Sequence, residues 1–301
     1  MNPLLSALIR VVLTCCGLAV TLLPRRLELL LGPLFGRFLL GIGRRRQEVA
    51  AENMRRCFPK LSTEERAQLL VKNFEHYGVL ALELMHLFSP LPGHYRRYVA
   101  KNSVCEGFEN WETANALGKG VMVVGSHLGN WELMAAGGVR AGIAHATMVT
   151  KYLKPEWLHK KIEASRLQAG VKGTYEPRTL PVVMRALRNK ETIGFVMDQY
   201  AGPPMGIPVP FFGVKVGTLA AIGTLALRTG AAVVPAKTYR DKNGVIHICF
   251  EPMMVVTADN TEEKTTEFLA SKVEGWVREY PSQWLWTHRR FKNVVWPEQL
   301  T

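Results

Sequence analysis

A histidine and a glutamate, His127 and Glu132, stand five residues apart where an apolar run gives way to a turn: Val121-Met-Val-Val-Gly-Ser-His-Leu-Gly-Asn-Trp-Glu132. An imidazole titrates near neutrality and can take a proton from a hydroxyl; a carboxylate beside it fixes its tautomer and stabilises the imidazolium. On one ideal helix, residues five apart are rotated by roughly 140° and do not face each other. The two side chains can therefore meet only if His127 sits on the turn and Glu132 in the first turns of the helix that follows. Val121–Val124 reads as a buried strand, Gly125 permits a sharp turn, and Asn130 or Ser126 offers a cap for a helix through Trp131-Glu-Leu-Met-Ala-Ala136. Backbone amides of the 125–130 turn are candidate donors to an oxyanion.

Three further groups carry chemistry. Ile193-Gly-Phe-Val-Met-Asp198-Gln199 is a second apolar strand ending in an acid, followed by a Pro- and Gly-rich stretch, 200–213, that reads as a stiff loop around Phe211 and Phe212. An acid beside a rigid apolar wall suits a site that takes an acyl chain and a polar head together. Arg166, before Gly170, offers a guanidinium to clamp a phosphate or to orient Asp198, with Lys160, Lys161 and Arg178 as near alternatives. Near the C-terminus, Trp284 and Trp286 interleave with His288, Arg289, Arg290 and Lys292, a mixture that grips a phosphorylated headgroup or sits at a bilayer interface.

The elements that must position these groups alternate. Strands are expected at Val121–Val124, Ala146–Val149, Thr192–Met197, Ala232–Thr238 and Ile246–Phe250, with helices at 130–140, 155–169, 179–189, 217–229 and 262–280. The pattern predicts an α/β fold with a mixed central sheet flanked by helices. Ahead of it, 47–58 reads as a helix ending before Pro59. Ser62 and Glu65 then form a capping box for a helix with its apolar stripe at Leu70, Phe74, Tyr77, Ala81, Leu84 and Phe88.

The net charge of +13 predicts polyanionic company. The first 60 residues hold ten Arg or Lys against three Glu, beside apolar segments at Pro3–Leu23 and Leu27–Leu40. Twenty-one helical residues reach about 30 Å, enough to cross a hydrocarbon core. Residues 1–45 are therefore expected to form a membrane-anchoring helical segment, spanning or lying in the interface, ahead of a domain at 46–301. Arg25, Arg26 and Arg44–Arg46 are placed at the cytoplasmic face. Basic residues beside apolar helices suit an anionic membrane better than a nucleic acid groove. The five cysteines form no Cys-x-x-Cys pair, which leaves a zinc ribbon or disulfide scaffold unsupported and a reducing compartment expected.

The His-Leu-Gly-Asn-Trp-Glu string resembles the His-x4-Asp/Glu box of glycerolipid and lipid A acyltransferases, in particular the late acyltransferases of bacterial lipid A biosynthesis. The resemblance extends to Asn53-Met-x-x-Cys-Phe-Pro59, to Asp198-Gln199 followed by Pro210-Phe-Phe-Gly213 and Thr218, and to Trp286-Thr-His-Arg-Arg290. It implies a glycerolipid acyltransferase-like fold at the bacterial inner membrane. It also implies a donor thioester on acyl carrier protein or coenzyme A and a lipid A precursor as acceptor. No cofactor, metal or nucleic acid partner is expected. His127 and Glu132 are expected to be catalytic, with Arg166, Asp198, Gln199, Asn130, Phe211, Phe212, His288, Arg289 and Arg290 in binding or supporting roles.

The rivals are weaker. A serine hydrolase wants Gly-x-Ser-x-Gly, and Ser126 sits at the wrong place in Gly125-Ser-His-Leu-Gly129; a zinc hydrolase wants His-Glu-x-x-His, which is absent. A peripheral lipid-binding protein without turnover, and an acyltransferase acting on another glycolipid or a lysophospholipid, remain as alternatives.

Overall fold

The computed structural model describes residues 2–177, 179–254 and 261–296. Four helices come first: α1 (Pro3–Leu22), α2 (Arg25–Ile42), α3 (Arg44–Cys57) and α4 (Thr63–Met85). The Ser62–Glu65 capping box starts α4 as its sequence requires. α1 is long and apolar enough to cross a membrane, and little of it is buried. α2 is different. It runs on through Pro33 and packs on α4 backbone to backbone: a Cβ at Gly78 would lie 1.9 Å from the Gly32 carbonyl, and one at Gly36 would lie 2.0 Å from that of Phe74. Only glycine allows so close an approach. Arg25, one of the basic residues expected at the cytoplasmic face, turns inward to Glu83, because a buried carboxylate needs a cation.

After α5 (His94–Asn102), the α/β part alternates β1 (Ser103–Glu106), α6 (Phe108–Ala116), β2 (Val121–Gly125), α7 (Glu132–Ala141), β3 (Ala146–Val149), α8 (Glu156–Gln168), β4 (Val171–Thr174), α9 (Thr179–Arg188) and β5 (Thr192–Val196). The hairpin β6 (Gly206–Phe211) and β7 (Val214–Leu219) follows, then α10 (Ala221–Thr229), β8 (Ala232–Arg240), β9 (Ile246–Phe250) and α11 (Glu262–Glu279). Seven strands form one sheet in the order β1-β9-β8-β2-β5-β3-β4, parallel except for β8 against β9. The fold is thus α/β, with a mixed, mainly parallel central sheet flanked by helices. Apolar cores cover both faces: Met122, Val124, Ile193 and Phe195 point to one, Val121, Val123, Val234 and Ile248 to the other.

Three expectations change. Residues 206–219 form an antiparallel hairpin rather than a loop and the start of a helix, because Ile207, Val209 and Phe211 pair with Thr218, Val216 and Val214. α10 accordingly begins at Ala221. The short strands β1 and β4, four residues each at or near a sheet edge, have too little apolar content to stand out as runs.

Candidate active site

β2 and β5 are neighbours, in parallel, with Gly125 opposite Val196. Two residues beyond each of these stand His127 and Asp198, so sheet register alone delivers an imidazole and a carboxylate to the same spot at the strands' C-terminal ends. His127 Nδ1 lies 2.7 Å from Asp198 Oδ1, and the His127 amide donates to Asp198 Oδ2 at 2.9 Å. The Trp284 indole N–H adds a third hydrogen bond, 2.6 Å to Oδ2. Burial on its own would push the Asp198 carboxyl pKa up; the imidazole, the amide and the indole outweigh it and hold the group below its usual range. A carboxylate can only accept, so Nδ1 carries a hydrogen, and in the neutral ring Nε2 keeps its lone pair. The Gln199 amide nitrogen sits 3.3 Å from Nε2, and Trp131 meets the ring edge-on at 4.9 Å. The His127 side chain keeps 18% of its surface exposed, against 1% for Asp198.

Glu132 does not pair with His127. It is the first residue of α7, and both its oxygens are bound by Arg166, at 2.7 Å from Nε and 2.9 Å from Nη2. Arg166 also binds Glu163 at 2.9 Å and does not orient Asp198. Burial would lower the Arg166 pKa, but its two carboxylates raise it. The physical reason for the exchange is that a fork-shaped guanidinium matches a carboxylate in two places. The near alternatives to Arg166 lie elsewhere: Lys160 pairs with Glu156 and Lys161 donates to the Ser89 carbonyl, while Arg178 is outside the described residues.

The turn between them is gripped residue by residue. The His127 carbonyl accepts from Leu285 N, the Leu128 carbonyl from Thr238 Oγ1, and Gly129 N donates to the Gln283 carbonyl. Gly129 has φ +59, and a Cβ there would meet the Thr238 carbonyl at 2.5 Å. Two of the amides expected to hold an oxyanion, those of His127 and Gly129, are therefore already engaged. No side chain caps α7, whose cap position is Trp131. Asn130 has no exposed surface and donates to Glu83 instead.

The C-terminal segment is mostly structural. Trp284 and Trp286 are buried, not interfacial, and Arg290 is buried under Phe211, donating to the carbonyls of Gln199 and Gly217 and to Thr218 Oγ1. It grips the backbone of the Asp198 loop and the β7 strand, not a headgroup. Phe211 and Phe212 are likewise core residues rather than an open acyl wall. His288 stays near the site: burial lowers its pKa, Asp198 opposes, and His127 and Arg290 add to the lowering. Arg289 is exposed, beside Arg45 and Lys292 along a groove of about 460 Å³. Sequence reasoning missed Trp284 as a ligand of Asp198 and missed Glu83 altogether, since neither is marked by spacing.

The family and its named relatives define the class: this is an acyltransferase. The chain belongs to the bacterial lipid A biosynthesis acyltransferase family, whose sequence profile matches residues 4–293. It is similar to the lipid A biosynthesis lauroyltransferase of Escherichia coli (strain K12), 30% identical over 91% of this chain and 88% of that one. The palmitoleoyltransferase of the same organism is 28% identical, over 90% and 87%. A phosphatidylinositol mannoside acyltransferase of Mycobacterium tuberculosis (strain CDC 1551 / Oshkosh) is 24% identical, over 72% and 68%.

Proposed function

We propose that the chain transfers a fatty acyl group from an acyl carrier protein thioester to a hydroxyl of a lipid A precursor, at the cytoplasmic face of a bacterial inner membrane. Coenzyme A is the alternative carrier. The observation that carries the mechanism is the Asp198–His127 contact, which commits Nδ1 to the carboxylate and leaves Nε2 as the base. The names of the E. coli relatives support lipid A as the acceptor class, and the basic surface supports an acidic carrier.

The acceptor hydroxyl takes the place that the Gln199 amide holds at Nε2. His127 removes the hydroxyl proton as the oxygen attacks the thioester carbonyl, and Asp198 stabilises the imidazolium that results. The carbon–sulfur bond then breaks, the leaving thiolate takes the proton back from His127, and ester and free thiol are released. The Glu132–Arg166 pair supports the site by fixing the start of α7, just beyond the turn that carries His127.

The test incubates the purified chain in bilayers with labelled acyl carrier protein thioester and a lipid A precursor, and follows labelled lipid by mass. Product that disappears in His127→Ala, with circular dichroism and membrane fractionation unchanged, is the expected result. Full activity of that variant overturns the mechanism, and a labelled mannoside or phospholipid in place of lipid A overturns the acceptor. Lipid binding with no thioester turnover in the wild type would leave only a lipid-binding role.

A further inference from the structure

A carboxylate that belongs to no sequence motif lies at the centre of the molecule. Glu83, in the last turns of α4, has no exposed surface, and four hydrogen bonds converge on its two oxygens. Oε1 accepts from Arg25 Nη2 at 2.6 Å and Arg240 Nε at 2.8 Å; Oε2 accepts from Arg240 Nη2 at 2.5 Å and Asn130 Nδ2 at 2.8 Å. A carboxylate offers about four lone-pair directions, so this one is fully used.

The bonds close a ring around the catalytic turn. From Asn130 the path runs to Glu83, then to Arg240. The Arg240 backbone exchanges two hydrogen bonds with the Gln283 side chain, each 2.8 Å, and the Gln283 carbonyl accepts from Gly129 N at 3.0 Å. Gly129 and Asn130 are adjacent, so the ring ends where it began, two residues from His127. A second arm leads outward: Arg25, at the start of α2, also binds Glu28, Tyr98 and the Gly244 carbonyl. Helices α2 and α4, strand β8 and the His127 turn thus meet on one side chain.

We propose that Glu83 is the positioning residue for His127: through its bond to Asn130 it holds the turn at the height where Nδ1 meets Asp198. Two largely buried guanidiniums require an anion between them, but that need alone does not require the Asn130 link. The link ties a charge anchored in the scaffold to the segment whose small displacement breaks the 2.7 Å contact of the base. This inference rests on His127 being the base.

The experiment compares Glu83→Gln, Asn130→Ala, the double variant and His127→Ala, as full-length protein in bilayers. Acyl transfer is measured per folded molecule, and melting temperature in parallel. Positioning predicts a kcat lowered 10- to 100-fold in each single variant with acceptor KM within twofold. It also predicts that the double variant is no worse than Glu83→Gln, because both act through one link. A purely structural Glu83 predicts a lower melting temperature with kcat per folded molecule unchanged, which overturns the proposal. If Glu83→Gln does not fold, Asn130→Ala decides, since it cuts the link and leaves both ion pairs in place: unchanged kcat there refutes positioning. Activity surviving in His127→Ala refutes the base assignment itself, a different result from an inactive His127→Ala beside fully active Glu83→Gln and Asn130→Ala.

Discussion

His127 Nδ1 and Asp198 Oδ1 lie 2.7 Å apart although 71 residues separate them, while Glu132, five residues from His127, gives both oxygens to Arg166. The carboxylate that meets the His127 imidazole is thus supplied by the neighbouring strand and not by the histidine's own segment. Adjacent parallel strands in fixed register make this pairing rigid in a way that a turn-to-helix pairing is not.

Asp198→Asn should therefore be the most damaging conservative change in the site. An amide can donate to Nδ1 and so favours the wrong tautomer, and the comparable change in serine proteases costs about 10⁴-fold in kcat. A loss of about 10³- to 10⁴-fold, with acceptor KM little altered and circular dichroism unchanged, is expected from initial-rate measurements. A loss under tenfold would mean that Asp198 is a structural partner only.

Glu132→Gln should behave differently. It leaves Arg166, only 8% exposed, with a single carboxylate, and breaking a buried pair from one side costs about 3–5 kcal/mol. The expected outcome is a clear fall in melting temperature and a smaller loss of kcat than Asp198→Asn produces. Pairing Glu132→Gln with Arg166→Met, which removes the stranded cation, should recover much of the stability. An unchanged melting temperature with abolished transfer would return Glu132 to the chemistry itself.

Much of this site was legible as a set of positions and little of it as a set of contacts. Both strand ends could be read because Val121–Val124 and Ile193–Met197 are apolar runs that stop at a polar residue. Their adjacency could not, because β3 and β4 intervene in sequence but not in the sheet. Local spacing pointed to Glu132; register chose Asp198. Trp286 and Arg290 looked interfacial because composition cannot distinguish a wet basic-aromatic face from one folded under β6 and β7. Glu83 lies in a run of helix formers with nothing local to mark it, and only the fold brings Arg25 and Arg240 to its oxygens.

Trp284→Phe isolates one donor. It keeps most of the ring's burial but removes the 2.6 Å hydrogen bond that helps hold the Asp198 carboxyl pKa down. Hydrogen bonds to charged groups contribute about 1.5–3 kcal/mol, so a fall in kcat of roughly 10- to 100-fold is expected. Kinetics indistinguishable from the wild type would show that the imidazole and amide suffice.

The apolar face of α1 should set membrane affinity. Leu4, Leu8, Val11 and Val12 are each at least half exposed. Replacing Leu8 and Val11 with aspartate costs roughly 3–4 kcal/mol each at the centre of a bilayer-crossing helix. Flotation with anionic vesicles should then show the double variant mostly unbound in high salt, while the wild type floats. Equal flotation would assign binding to other surfaces.

Acid should destabilise the fold through buried and half-buried groups that support the site and the helical layer. Burial would raise the Glu83 pKa, but Arg240 and Arg25 outweigh it and hold it at about 2. Its contribution is complete above the ordinary carboxylate value of about 4.5 and is lost as pH falls towards 2. Burial lowers His94 to about 4, helped by His86, and His76 to about 3, helped by Arg240. Each is neutral in the fold while the unfolded chain takes up a proton below about 6.5, so stability falls as pH drops from there as well. All three groups act with the same sign. Chemical denaturation at stepped pH should show stability declining from about pH 6.5, with a further loss below about 4.5. In Glu83→Gln the upper decline should persist, because the histidines are intact, and the lower one should flatten, because the carboxyl that titrates there is gone. A lower limb equally steep in that variant would place the acid sensitivity on other carboxylates, Asp198 first among them.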